Sequence, residues 1–160
     1  MISVELAPET ATLALGAGLV FSLLCYLTTN LSPGGMITPG WLALALLQDY
    51  RQAAIVVAMT GVTYAGTRLL QRVVILYGKR LFAAVVLLGV VLQLALFLVV
   101  QNKFPLLFVH QTLGFVAPGL IAYQLVRQPP AATVLATVVV TAAAYAVMIS
   151  GVLAGVVSTV

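Results

Sequence analysis

Charge is what this 160-residue chain has least of: three acids, seven lysines and arginines and one histidine, 6% charged residues against 63% apolar. No arrangement of such a composition covers a soluble sphere with a polar skin, so the surrounding solvent is lipid. Cysteine is almost absent too. Cys25 is alone and lies inside an apolar run, which excludes an internal disulfide and a cysteine metal cluster and leaves a small hydrophobe. His110 has no paired His, Cys or carboxylate nearby in sequence, so no metal site is expected. A phosphate-binding glycine loop is missing as well, because Gly34-Gly35 is not followed by Gly-Lys-Ser/Thr; no cofactor is expected in this chain. Ser32, Thr38 and Cys25 are not paired with a base in any motif, which argues against a hydrolase triad.

What is present is a set of long apolar runs. Residues 11–27, 53–70, 81–100 and 131–157 read as four spans, each near or above the roughly 20 residues that cross about 30 Å of hydrocarbon. The first lacks a basic leader and is preceded by Glu5 and Glu9, so it is expected to be a retained span and not a cleaved signal. The fourth is overlong and should tilt, kink near Ser150-Gly151 or leave the bilayer. Small residues at Gly61, Ala65 and Gly66, and again at Gly151 and Gly155, favour close helix contact within the chain or between copies. The whole chain, 1–160, reads as a single transmembrane domain.

Two shorter apolar segments carry interruptions. Ser32-Pro33-Gly34-Gly35 and Thr38-Pro39-Gly40 precede the first; Gly114-Phe115-Val116-Ala117-Pro118-Gly119 opens the second. Each Pro-Gly pair is expected to mark a helix N-terminus at bilayer depth, since proline suits a first helical turn and glycine relieves crowding. Amides left free there must be buried in protein or line a wet cavity. Matching interruptions in two halves point to a duplicated all-α membrane protein, with one repeat over about 11–75 and the other over about 80–160.

Arg68, Arg72, Lys79 and Arg80 form the densest basic cluster, and the turn between them is expected to face the cytoplasm. If the interrupted segments cross, the halves are inverted, three crossings plus three, with both termini outside. If they dip and return, there are four crossings with two re-entrant half-helices and parallel halves. Asp49 and Arg51 are expected to pair at the rim.

Three motifs in order, Leu76-Tyr77-Gly78-Lys79-Arg80-Leu81-Phe82-Ala83-Ala84, Pro33-Gly34-Gly35-Met36-Ile37-Thr38-Pro39-Gly40 and Val116-Ala117-Pro118-Gly119-Leu120-Ile121-Ala122, resemble the CapC/PgsC family. That family is the small integral-membrane subunit of bacterial poly-γ-glutamate synthases. Leu27-Thr28 stands where the family pattern has a charged pair. The resemblance implies a multi-pass protein of the bacterial cytoplasmic membrane engaged in capsule or polyglutamate synthesis and export. It implies two partners: a cytoplasmic amide ligase that uses ATP and Mg, and a further membrane-anchored subunit. This chain would then be a subunit that does not itself bind ATP; the alternatives to this reading are a small inverted-repeat secondary transporter with the breaks as its solute site and a structural membrane scaffold.

For an anionic polymer, two sites follow. Gly35, Thr38, Pro39 and Gly40, with Gly114, Pro118 and Gly119, would form paired backbone cradles for carboxylates, Thr38 serving as N-cap or hydroxyl donor. Valine at Gly40 or Gly119 is then expected to abolish polymer in a protein that still folds. The second site is the basic cluster, Arg72, Tyr77, Lys79 and Arg80, where Arg80 grips a carboxylate or phosphate bidentately. Gln93, in mid-span, is expected to donate to a neighbouring helix or to lie on a polymer path.

Overall fold

A computed structural model describes residues 8–48, 50–75, 77–101 and 112–153. Among these residues the chain is helical without strands: α1 (Pro8–Thr29), α2 (Thr38–Gln48), α3 (Tyr50–Val73), α4 (Gly78–Gln101), α5 (Thr112–Arg127) and α6 (Pro130–Leu153). Four of them, α1, α3, α4 and α6, are long and apolar enough to cross a membrane. Glu5, Asp49 with its expected pairing to Arg51, Leu76, His110 and Gly155 lie outside the described residues.

The boundaries follow from local chemistry. At the end of α1, Asn30 adopts φ 55° and donates its amide to the Tyr26 carbonyl at 2.9 Å, a left-handed stop that asparagine tolerates. Gly34 and Gly35 then take φ 61° and 103°, which a side chain would resist. The helix resumes when Trp41 donates to the Ile37 carbonyl at 3.1 Å, so Thr38, Pro39 and Gly40 occupy the first turn of α2, where proline costs no helical bond.

At the second Pro-Gly pair the structure corrects the expectation. Pro118 lies inside α5, six residues beyond its start, and marks no helix N-terminus. The difference lies upstream: Thr112, Leu113, Phe115, Val116 and Ala117 can all be helical, whereas Ser32-Pro33-Gly34-Gly35 cannot. Pro118 removes one bond from the ladder, a loss tolerated in membrane helices that pack on neighbours. Only the first interruption is therefore a true break.

Chain directions come from shared contacts. Gln71, Lys79 and Arg127 line one cavity, so the end of α3, the start of α4 and the end of α5 meet at one face, called here the basic end. At the opposite end Ala14, Leu44 and Met148 form a cluster that joins early α1, late α2 and late α6. Helices α1, α3 and α5 thus run toward the basic end, and α2, α4 and α6 run away from it. A second cluster, including Trp41, Val56 and Ile121, packs α2, α3 and α5 together.

Candidate functional site

The first break sits well below the basic end. A Cβ on Gly34 would lie 3.3 Å from the Ile121 side chain and 3.2 Å from Thr137 Oγ1, and Thr137 is seven residues, ~10 Å, along α6 from Pro130. Thr38 is buried and donates its hydroxyl to the Gly34 carbonyl, closing the break on itself. That hydroxyl proton is thereby given to the backbone, the hydroxyl-donor role expected of Thr38 being directed within the break. Gly35 lies at the same turn, with φ 103° and a Cβ position only 2.8 Å from Thr38 Oγ1.

Both Pro-Gly pairs have a second role that spacing alone did not reveal. A Cβ on Gly18 of α1 would sit 2.3 Å from Gly40 Cα, and one on Gly40 only 2.8 Å from the Ala14 carbonyl oxygen. In the other half, a Cβ on Gly89 of α4 would sit 2.8 Å from Gly119 Cα, and one on Gly119 2.9 Å from Val86 Cα. Each pair is a backbone-to-backbone crossing, α1 on α2 and α4 on α5, which glycine alone allows. In lipid, where apolar surface gains nothing by leaving one hydrocarbon for another, such close packing holds helices together. Amides beyond the first four of α5 are committed to its own ladder, so Gly119 offers a packing surface and no free donor. Gly114 lies in the first turn of that helix. Valine at Gly40 or Gly119 therefore strikes a neighbouring helix, and the expectation of an intact fold in those variants does not stand.

One turn beyond Gly18 on α1 and Gly89 on α4 lies a buried polar side chain. Ser22 follows Gly18 on α1, fully buried, and Gln93 follows Gly89 on α4 at 2% exposure; Ser22 Oγ and Gln93 Oε1 have no hydrogen-bond partner among the described residues. Ser22 was not singled out from sequence, where a lone serine in an apolar run carries no signal. An orphaned buried amide costs about 1–3 kcal/mol. Gln93→Leu is accordingly expected to keep or raise the thermal unfolding temperature of the purified protein, and a clear fall would reveal a partner for the carboxamide.

At the basic end the chain builds a cavity of about 560 Å³ between α3, α4 and α5. Its walls include Gln71, Tyr77, Lys79, Phe82, Tyr123 and Arg127. Gly78, with φ 57°, opens α4 there, so the free amides of a 24-residue helix and the positive end of its dipole adjoin the cavity. Tyr123 organises the wall: its ring meets Phe82 edge to face at 5.0 Å, and Arg127 lies 5.6 Å over the same ring while Nη1 donates to the phenol oxygen at 3.1 Å. Arg68 on α3 repeats this arrangement on Tyr64, 5.3 Å from the ring and bonded to its oxygen. The ring contact and the hydrogen bond favour one orientation of each exposed guanidinium while leaving most of its donors for a ligand.

All four expected cluster residues are exposed; Tyr77 and Lys79 line this cavity, and Arg72 and Arg80 do not. Arg127, Tyr123 and Gln71 take part instead. A legible signal existed, since Tyr64…Arg68 and Tyr123…Arg127 share the four-residue spacing that places a pair on one helix face. With cations, aromatic walls and a helix N-terminus together, the cavity suits a carboxylate or phosphate.

Comparison with known proteins bears on both features. The model of the family described as "Capsule biosynthesis CapC" matches residues 17–134, which include both glycine crossings and the basic cavity. The chain belongs to the CapC family. Over 141 residues, 85% of this chain and 91% of the relative, it is 34% identical to the "Capsule biosynthesis protein CapC" of Bacillus anthracis. It is 32% identical over 138 residues to the "PGA biosynthesis protein CapC" of Bacillus subtilis strain 168, with the same coverage of both chains. No solved structure matches this CapC-family protein.

Proposed function

We propose that this protein is the multi-pass membrane subunit of a machine that makes and exports γ-linked polyglutamate across a bacterial cytoplasmic membrane. The observation that carries the reading is the cationic, aromatic-walled cavity at the basic end of a bundle whose described spans are otherwise nearly free of charge. Five of the seven lysines and arginines, Arg68, Arg72, Lys79, Arg80 and Arg127, lie on the helix ends that meet there. Such an excess belongs on the cytoplasmic side. A polymer bearing one free carboxylate per residue, arriving from a cytoplasmic amide ligase, meets that face first. ATP and Mg belong to the ligase, and a further membrane-anchored subunit completes the path; homo-oligomers are compatible with it.

The same reading takes the bundle as two inverted repeats. Support comes from the reversal of direction between halves and from the matched crossings, Gly18 on Gly40 beside Ala14 and Leu15, and Gly89 on Gly119 beside Val85 and Val86. The first break, with Gly35, Thr38, Pro39 and Gly40, lies at the depth where inverted-repeat proteins hold their cargo. In this reading, amides of the first turn of α2 that the helix itself leaves unbonded would be the donors met by a passing carboxylate.

Affinity isolation of the tagged protein from its native membrane tests the assignment. An ATP-dependent amide ligase should be retained, with polymer synthesis in the isolate on addition of ATP and glutamate. Uptake of a small solute by the protein alone in vesicles, with no ligase attached in membranes that make polymer, would reject it.

A further inference from the structure

Several buried hydroxyls of the bundle are tied into their own helices: Thr60, Thr63 and Thr67 each donate to the carbonyl four residues back, at 2.7 Å. Ser22 of α1 is not. Its side chain is fully buried, and Oγ has no hydrogen-bond partner among the described residues.

Two measures put Ser22 beside the first break. It lies seven residues, ~10 Å, before the end of α1 at the basic end, the same depth as Thr137, which adjoins Gly34. It also shares a helix face with Gly18, whose Cβ position is 2.5 Å from Gly40 N. Helix amides point toward the helix N-terminus, and α2 runs opposite to α1, so the Gly40 N–H is directed along α1 toward Ser22. That donor is idle inside the helix. In α2 the backward bonds begin with Trp41, which donates to the Ile37 carbonyl, and Pro39 has no N–H; Thr38 and Gly40 keep amides that the helix does not use.

The second half closes the matching place. Gly40 rests on Ala14, Leu15 and Gly18 as Gly119 rests on Val85 and Val86, so Ser22 corresponds to Gln93. There α5 continues upstream of its Pro-Gly pair, and the Gly119 amide belongs to the helix ladder. The first break is not sealed: its Met36 and Ile37 are exposed, as are Thr28, Thr29 and Asn30 where α1 reaches the basic end.

We infer that Ser22 is a carboxylate-binding residue of the first break, its hydroxyl donating to the same carboxylate as the Thr38 and Gly40 amides. The inference rests on the polymer reading above and gives that cargo a side-chain contact. Helices α1 and α2 carry no lysine or arginine, so the positive end of α2 supplies the complement to the charge.

Trp41, the one tryptophan of the chain, adjoins Gly40 and reports on this place and not on the basic cavity. Titrating the purified full-length protein in detergent with tri-γ-glutamate is expected to give a saturable change in Trp41 emission. Ser22→Ala and Ser22→Cys should each raise the half-saturating concentration roughly ten- to a hundredfold, the loss of one hydrogen bond to a charged group. Cysteine nearly keeps the volume of serine but is a weak donor, so half-saturation at the wild-type concentration in Ser22→Cys assigns Ser22 to packing and overturns the inference. The absence of a saturable change in the wild type overturns it as well. Failure of the polymer reading shows elsewhere, as an isolate that retains no ligase; an unresponsive Trp41 in a protein whose isolate retains ligase and makes polymer strikes Ser22 alone.

Discussion

Gly18→Ala is expected to lower the thermal unfolding temperature of the purified protein by about 10 °C, while Gly16→Ala, two residues away on α1, leaves it within about 2 °C. The new methyl at position 18 would sit 2.3 Å from Gly40 Cα and 2.5 Å from its amide nitrogen; at position 16 it meets nothing within 4 Å. Carbon atoms rest about 3.5–4 Å apart, so the α1–α2 crossing must widen by more than an ångström. Backbone cannot rotate away as a side chain can. Overpacking of this kind costs about 3 kcal/mol, a large part of the roughly 5–15 kcal/mol that holds a typical domain together. Gly89→Ala should follow with a smaller fall, because its nearest clash with Gly119 is 2.8 Å. Unfolding followed in detergent decides the matter: equal temperatures for the position 16 and position 18 variants would remove the crossing from the account.

Arg127→Gln is expected to cut polymer output at least tenfold while the protein remains inserted in the membrane. A hydrogen bond to a charged group is worth about 1.5–3 kcal/mol, or roughly 10–100-fold in affinity, and Arg127 supplies both charge and a guanidinium held in place by Tyr123. Arg127→Lys keeps the charge but loses the planar fork and the stack, so it should recover only part of the activity. Arg51→Gln is the control, since Arg51 lies in the first turn of α3, away from the basic end. Polymer released after acid hydrolysis gives the output, and immunoblots of membranes give the amount inserted. Normal output from Arg127→Gln would take the cavity out of the function.

The four spans were legible because burial in lipid demands long apolar runs, and the structure places them at Ala11–Thr29, Tyr50–Val73, Gly78–Val99 and Pro130–Gly151. The first break was legible for a related reason: Ser32-Pro33-Gly34-Gly35 cannot continue a helix in any surroundings. Pro118 was misread because one proline is ambiguous; whether it starts a helix or is carried inside one depends on neighbours that can stabilise the upstream turn. The site was legible only in part. Lys79 and Tyr77 stand close in sequence and line the cavity, but Arg127 comes from another helix some fifty positions on, and only the three-plus-three alternative puts the end of α5 on the face where α4 starts.

Composition and hydrophobic run length, then, by themselves determined the solvent, the helical class and the end of the molecule that carries charge, since each follows from the cost of exposing peptide groups or ions to hydrocarbon. Tertiary structure alone decided what the glycines are for. Helix pairing in a bilayer has no hydrophobic drive to reveal it in advance, and rests on which backbones can approach within a few ångströms, a property of two segments together and of neither alone.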